Sequence, residues 1–238
     1  MSALYIIFTL IVIGANFGNL GNAFRMIFVG AFTPQAVLGA GSGILLKETL
    51  VWGLRRSAFS NEAGLGSAAI AHAAAETKGP VEQGLYGIFE VFADTIVICT
   101  LTGLSVIVSG IDIPFGVKPG SELITNAFAT VFGDRFASLF VAIALMLFAF
   151  STILGWSLYG SRCVEYLFGM KATGIYQVIF IVMIVVGATT SLDLVWDVAD
   201  TFNGLMAIPN FIALFGLSGV VTKLTKEYFA KQTPSLKK

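Results

Sequence analysis

The chain has 238 residues, 56% of them apolar and only 12% charged, with 21 phenylalanines and with 14 basic side chains balancing 14 acidic ones. A soluble domain of this length would carry about twice that share of charge, and a nucleic-acid binder would carry a basic excess. Both classes are excluded; the composition is that of an integral membrane protein with lipid as its solvent and no nucleic-acid partner.

An apolar run from Leu4 to about Ala15 predicts the first helix. No basic stretch precedes it and no small-residue cleavage site closes it, so it is not a signal peptide, and the chain is expected to begin within a helix. A Gly- and Asn-rich stretch, Gly14 to Asn22, leads to an amphipathic continuation from Phe24 to Phe32 whose one charge is Arg25.

The next element, about Ile44 to Ala75, is interrupted. Its first half carries Lys47, Glu48, Arg55 and Arg56, and its alanine-rich second half stops at Glu76-Thr77-Lys78-Gly79-Pro80. Between them stands Ser57-Ala58-Phe59-Ser60-Asn61-Glu62-Ala63-Gly64-Leu65-Gly66-Ser67, which sets an acid, an amide and two glycines inside otherwise membrane-embedded helix. In hydrocarbon every backbone N–H and C=O must find a partner, so a break at membrane depth survives only against protein or a wet cavity. Glycines alone are explained by close helix packing, but Asn61 and Glu62 are superfluous for that. The stretch is therefore predicted to unwind and line a solute site, presenting Phe59 and backbone carbonyls to one cavity. Nearby, His72 and Glu76 are expected to form a hydrogen-bonded pair.

Gly84 to Val108 supplies about 25 residues, enough to cross a core about 30 Å thick. Its Glu90 and Asp94 share a face; they are either functional acids or partners for the N–H groups freed by the break. A polar connection containing Asp112, Pro114, Lys118, Pro119 and Glu122 leads through Asp134-Arg135 to a long helix from about Phe136 to Tyr159. That helix carries Ser151, Thr152 and Trp156. The two hydroxyls are hard donors suited to Na⁺ or a polar ligand, or they back-bond to the preceding turn. Trp156, one turn after Thr152, either walls a small pocket or belongs to an interfacial aromatic belt.

A loop with Arg162, Glu165 and Lys171 is expected before an apolar span, Ile175 to Ala188, and a last helix from about Leu192 to Val221 that contains Pro209. Residues 1–222 thus read as a membrane domain of about six spans, and 223–238 as a lysine-rich tail. Lys223, Lys226, Lys231, Lys237 and Lys238 place that tail in the cytoplasm by the positive-inside rule. Alternating backwards puts Arg162 and Lys171 inside, the Asp112 to Asp134 connection outside, and Lys78 inside. Lys47, Arg55 and Arg56 do not fit, and a lone charge at the bilayer centre costs at least about 2.5 kcal/mol. Asp193, Asp197 and Asp200 share one face at the start of the last helix; Arg55 or Arg56 pairing with Asp197 or Asp200 would form a gate across an external vestibule. Cys99 and Cys163 have neither metal-ligand nor disulfide spacing and receive no role.

The runs Phe59 to Ala68, Ile70-Ala71-His72-Ala73-Ala74-Ala75, Gln83-Gly84, Asp94-Thr95, Phe148-Ala149-Phe150, Thr152-Ile153-Leu154-Gly155-Trp156 and Asn203-Gly204-Leu205-Met206-Ala207-Ile208-Pro209-Asn210 resemble the sodium:alanine/glycine symporter family. The resemblance covers nearly the whole chain and implies a leucine-transporter-type fold, all-α, in which two five-helix inverted repeats enclose substrate and Na⁺ at mid-membrane. It implies that this chain is the second repeat with one preceding helix, the C-terminal half of such a transporter in the cell membrane. Phe59 and Asn61 would then hold a small amino acid, alanine or glycine, Thr152 and Trp156 would line its pocket, and Ser151 with Thr152 would bind Na⁺ as coupling ion. The family's Gly-Thr-Gly-Asn segment of the first repeat is not among these residues, so the chain is expected to need that N-terminal repeat as its partner and not to transport alone. Neither enzymatic chemistry nor a cofactor is implied. Two rival readings are a proton-coupled symporter using Glu90, Asp94 or His72, and an intramembrane aspartyl protease using Asp94 and Asp200, which lacks a Gly-x-Gly-Asp signature.

Overall fold

The computed structural model describes residues 2–32, 42–113 and 120–232. Pro114, Lys118 and Pro119 of the polar connection, Lys237 and Lys238 of the tail, and the side chains of Lys47 and Glu48 lie outside the described residues. Every regular element described is helical, as expected of an all-α polytopic membrane protein. Four helices are long and apolar enough to cross a membrane, or five spans when the bent N-terminal pair counts as one. The chain divides into two compact units, Met1–Trp52 with Phe92–Ile153, and Gly53–Val91 with Leu154–Lys238.

In the first unit, α1 (Ser2–Ala15) and α2 (Leu20–Phe32) flank a 3₁₀ turn at Phe17–Asn19. The chain bends there by 74°. Asparagines brace the bend: Asn16 Nδ2 adds a bond at 3.0 Å to the Val12 carbonyl, which also accepts the Asn16 backbone N–H, and Asn19 Nδ2 donates to the Val108 carbonyl at 3.1 Å. α6 (Glu122–Phe132) ends at Gly133, whose φ of 80° suits a residue without Cβ. This helix falls where the sequence reads as a connection, because its short apolar stretch is flanked by polar residues. Phe128, Phe132, Phe136 and Phe140 recur every fourth residue across α6 and the start of α7 (Asp134–Phe168). Phe8 of α1 lies 5.4 Å from the Phe132 ring, 5.6 Å from Phe136 and 4.5 Å from Phe140. Tyr5 stacks on Phe128 at 6.2 Å, and its hydroxyl meets Thr102 Oγ1 at 2.9 Å.

The second unit contains the end of α3 (Ser42–Ser60), the short α4 (Ala68–His72), the start of α5 (Pro80–Val108), the end of α7, α8 (Met170–Thr189) and α9 (Leu192–Gln232). Pro80 opens α5 where its missing N–H costs nothing, and Glu82 reaches back to accept from the Lys78 N–H at 3.0 Å. The alanine-rich stretch after the break is helical only to His72, then tightens into turns through Ala75. The loop expected at Arg162 to Lys171 is helical apart from Gly169, at φ 79°. There Arg162 pairs with Glu165 one turn on, at 2.8 Å, so the charges sit on a helix end instead of a loop. α9 likewise runs past Val221 through Lys223, Lys226 and Lys231. Long apolar side chains on α8 and α9, Ile175, Val178, Ile181, Phe202, Ile212 and Phe215 among them, are exposed, as a surface solvated by lipid requires.

α5 contains a feature without a compositional signal. Its residues Ala93–Ile98 form a π-helical turn, with the Cys99 N–H bonded to the Asp94 carbonyl. Such turns recur at functional sites.

Candidate functional site

The helix of α3 gives out at Ser60, and the next seven residues follow no repeating geometry before α4 begins. Glu62 at φ 49°, Gly64 at 81° and Gly66 at 80° turn the chain through the left-handed region. For two of them glycine removes the steric penalty; Glu62 bears it. What holds Glu62 there is its own side chain: Ser67 Oγ donates to Glu62 Oε2 at 2.7 Å, closing the loop across its base. The Tyr159 phenol of α7 also faces this carboxylate. Backbone bonds fasten the loop to the helix it leaves, with the Asn61 N–H on the Ser57 carbonyl at 3.0 Å, Ala63 on Ala58 at 3.1 Å and Leu65 on Glu62 at 3.2 Å. Leu65 and Ser67 are the only buried residues of their unit among those described. The far end of the break is thus packed against protein, the setting in which irregular backbone is tolerated at membrane depth.

Along α9, residues 196, 200, 203, 207 and 210 recur at helical spacing, and this stripe meets α3 and the break. Arg56 Nη2 donates to both Asp200 oxygens, at 3.1 and 3.3 Å. Its guanidinium lies 3.7 Å above the centre of the Trp196 ring, a cation–π contact. Phe59 meets the same indole edge-on at 5.1 Å. Arg55 Nη1 is 3.7 Å from Asp200 Oδ2 and half exposed. Asp197 is exposed, and its backbone carbonyl accepts from Thr201. Arg55, Asp197 and Asp200 stand at a cleft of about 660 Å³ floored by small residues such as Ala58, Ala63, Gly204 and Ala207. At the other end of the stripe Asn210 Nδ2 donates to the Gly64 carbonyl at 2.9 Å.

The remaining candidates occupy local settings. Asn61 turns its amide toward Ser57 Oγ at 3.4 Å, within its own helix end. Ser151 and Thr152 both donate to the Phe148 carbonyl, at 2.9 and 3.0 Å, the back-bonded arrangement. Trp156 packs edge-on against Tyr159 at 5.8 Å. His72 turns to α5 instead of Glu76: its Nδ1 is 2.6 Å from Gln83 Nε2 and its Nε2 3.5 Å from Glu90 Oε2. With the amide donating to Nδ1, the ring proton lies on Nε2, facing Glu90.

Two residues of this cluster have no weight in the charge pattern. Trp196 reads as a lipid-facing aromatic on an apolar helix, and only its spacing of four from Asp200 places it beside Arg56. Asn210 follows Pro209 in a run of small and apolar residues, where an amide is the one group able to hold a distant backbone carbonyl.

The sequence profile of the sodium:alanine symporter family matches residues 1–238. The chain is 44% identical over 230 residues to a sodium/alanine symporter of Methanococcus maripaludis, covering 96% of this chain and 49% of that protein. It is 38% identical to a probable sodium/glutamine symporter of Bacillus subtilis, over 96% of this chain and 47% of the relative. An amino-acid carrier protein of the same bacterium is 35% identical, over 98% and 48%. The chain spans about half the length of the curated relatives it matches. With the profile matched from end to end, this chain belongs to the sodium:alanine symporter family.

Proposed function

We propose that the chain forms the second repeat of a Na⁺-coupled symporter for a small neutral amino acid, alanine or glycine, in the cell membrane with its C-terminus cytoplasmic. The observation that carries this reading is the unwound segment 61–67, which supplies the buried Leu65 and Ser67 and is left-handed at Glu62, Gly64 and Gly66. Discontinuous helices of this kind hold solute in secondary transporters. Phe59 and Asn61 contribute contacts from the break, Thr152 and Trp156 from α7, and Ser151 with Thr152 offers hydroxyls to Na⁺. Arg56, with Arg55 beside it, closes on Asp200 as the external gate, and Asp197 draws cations to the same cleft. Bound Na⁺ raises substrate affinity, and substrate raises Na⁺ affinity by the same factor.

The test is uptake in sealed vesicles. The chain alone should take up no alanine, whereas the chain assembled with the first half of a family transporter should do so under a Na⁺ gradient and stop when choline replaces Na⁺. Robust uptake by the chain alone would refute the need for a partner. A second reading, proton coupling, draws on His72 facing Glu90; uptake that persists in choline under an imposed pH gradient would favour it. For the gate, Arg56→Asp and Asp200→Arg should each abolish uptake and the double exchange should restore part of it; absence of rescue would reject the pairing as a gate.

A further inference from the structure

Both glycines of the break are backed by consecutive residues of α9. The Gly64 carbonyl accepts from Asn210 Nδ2 at 2.9 Å, while a Cβ on Gly64 would touch the Phe211 ring at 3.5 Å. A Cβ on Gly66 would come within 2.8 Å of Asn210 Oδ1. The amide therefore fills the space that glycine leaves at one residue and bonds the backbone two residues earlier. Sequence separation makes the contact costly to form by chance, since the partners are 146 residues apart.

We infer that Asn210 is a positioning residue of the unwound segment, fixing the far end of the loop so that Phe59 and Asn61 at its near end are presented to substrate. The inference rests on the transport reading given above. Its physical basis is that an unwound turn has no helical ladder to direct its carbonyls, so each takes a defined direction only through a bond made elsewhere. Because Asn210 occupies the Gly64 carbonyl, that group is committed to α9. α9 also grips the helix ahead of the break through Trp196 and Asp200 on the same stripe. One helix therefore holds both the gate pair and the loop. A shift of α9 that opens Arg56 from Asp200 slackens the loop as well, linking vestibule opening to substrate affinity.

Hydrogen exchange of the full chain in nanodiscs, and alanine uptake by the chain assembled with the first half of a family transporter, test this together. Asn210→Asp keeps the size and loses the donor; it should raise exchange of the 61–67 amides by about fivefold, the worth of one hydrogen bond, with exchange in α6 unchanged. In uptake it should raise KM by a similar factor of about five and leave kcat within about twofold, the pattern of a lost positioning contact. Gly66→Ala should loosen the same amides, and adding Asn210→Ala should loosen them no further, since both remove one contact. Unchanged exchange in Asn210→Asp, additive effects in the double variant, or raised exchange without a change in KM would each overturn the inference while normal uptake by the unmodified pair left the transport reading standing. Failure of the unmodified pair to take up alanine would overturn the transport reading and, with it, the assignment of Asn210 to a substrate loop.

Discussion

Phe128 and Leu65 are both buried, yet they sit in opposite kinds of surroundings. Around Phe128 the first unit buries Tyr5, Val12, Val108, Ala127, Ala137 and Val141, and its phenylalanines meet ring against ring. Around Leu65 the second unit buries only Ser67 among the described residues, and beside one ring pair, Phe59 on Trp196, its cross-chain contacts are mostly polar, among them an arginine on a carboxylate, an arginine on an indole and an amide on a carbonyl. The difference follows from backbone regularity. A helix satisfies its own peptide groups and needs only surface to pack, which aromatic rings supply in quantity. An unwound turn has peptide groups to place, and surface contact cannot orient them. It needs donors and acceptors aimed at named atoms.

The comparison breaks if aromatic packing is dispensable in the first unit. Phe128 has no exposed surface, and Phe→Ala in a soluble core costs about 3–5 kcal/mol. In lipid the transfer part of that sum shrinks, because hydrocarbon is as apolar as the core, while the packing part remains. Phe128→Ala should therefore lose about 3 kcal/mol, read as a lowered unfolding midpoint in detergent. Phe136→Ala, at a ring 42% exposed, should lose under about 1 kcal/mol. Equal losses would show that the ring ladder is not what holds this unit.

Next in size is a contrast between two glycines with the same φ. Gly66 and Gly133 both stand at φ 80°, where alanine is strained, and Gly133, at ψ 156°, lies in a region essentially confined to glycine. At Gly133 nothing lies within 4 Å of the added Cβ, whereas at Gly66 the Asn210 amide is in the way. Displacing it forfeits the bond to Gly64, about 1 kcal/mol more. Gly66→Ala should therefore cost about 1 kcal/mol less in an Asn210→Ala background than in the unmodified chain in the same melting assay, since no amide is left to displace, and equal losses in the two backgrounds would remove the clasp from the account.

The position of the break was legible because Asn61, Glu62, Gly64 and Gly66 contradict an apolar helix at one place, and physics allows few uses for such a contradiction. The Arg56–Asp200 contact was legible more indirectly, through arginines that no membrane topology accommodates without a partner. Trp196 and Asn210 were not, since each acts through a neighbour brought near only by folding, and a tryptophan or an asparagine in a membrane helix has several ordinary explanations. The π turn at Ala93–Ile98 and the helical run through Arg162 and Glu165 escaped for a related reason. Hydrogen-bond register leaves no trace in composition, and charged residues read as loop until an i, i+3 pairing shows them on a helix.

Within the polar unit, the two arginines sharpen the comparison on a smaller scale. Arg56 combines two contacts to Asp200 with a face-on indole; at a site about one-third exposed, Arg56→Ala should lose about 1.5–2 kcal/mol. Arg55 lies 3.7 Å from the same carboxylate with half its side chain exposed, and pairs of that kind contribute about 0–1 kcal/mol. Arg55→Ala should shift the midpoint by a fraction of the Arg56 effect, and raising the salt concentration should erase it. A larger effect at Arg55 would mean that Coulomb attraction at the cleft, not stacking on Trp196, holds α9 to α3.

The smallest expected effect on stability falls on Ser151 and Thr152. Their hydroxyls bond to one carbonyl of their own helix and are exposed, so each bond goes to a carbonyl that the helix already engages, and such back-bonding adds no stability to a helix. Ser151→Ala and Thr152→Val should move the melting midpoint by less than about 0.5 kcal/mol. If the pair ligates Na⁺, the same variants should raise the Na⁺ concentration for half-maximal alanine uptake several-fold in the assembled transporter. Lithium should then substitute less well than in the unmodified protein, because its smaller shell needs the hard hydroxyl donors more. Stability and ion dependence would thereby separate at these two residues, where at Phe128 they cannot. A variant that melts normally and keeps its Na⁺ dependence would leave the hydroxyls as helix back-bonds and nothing more.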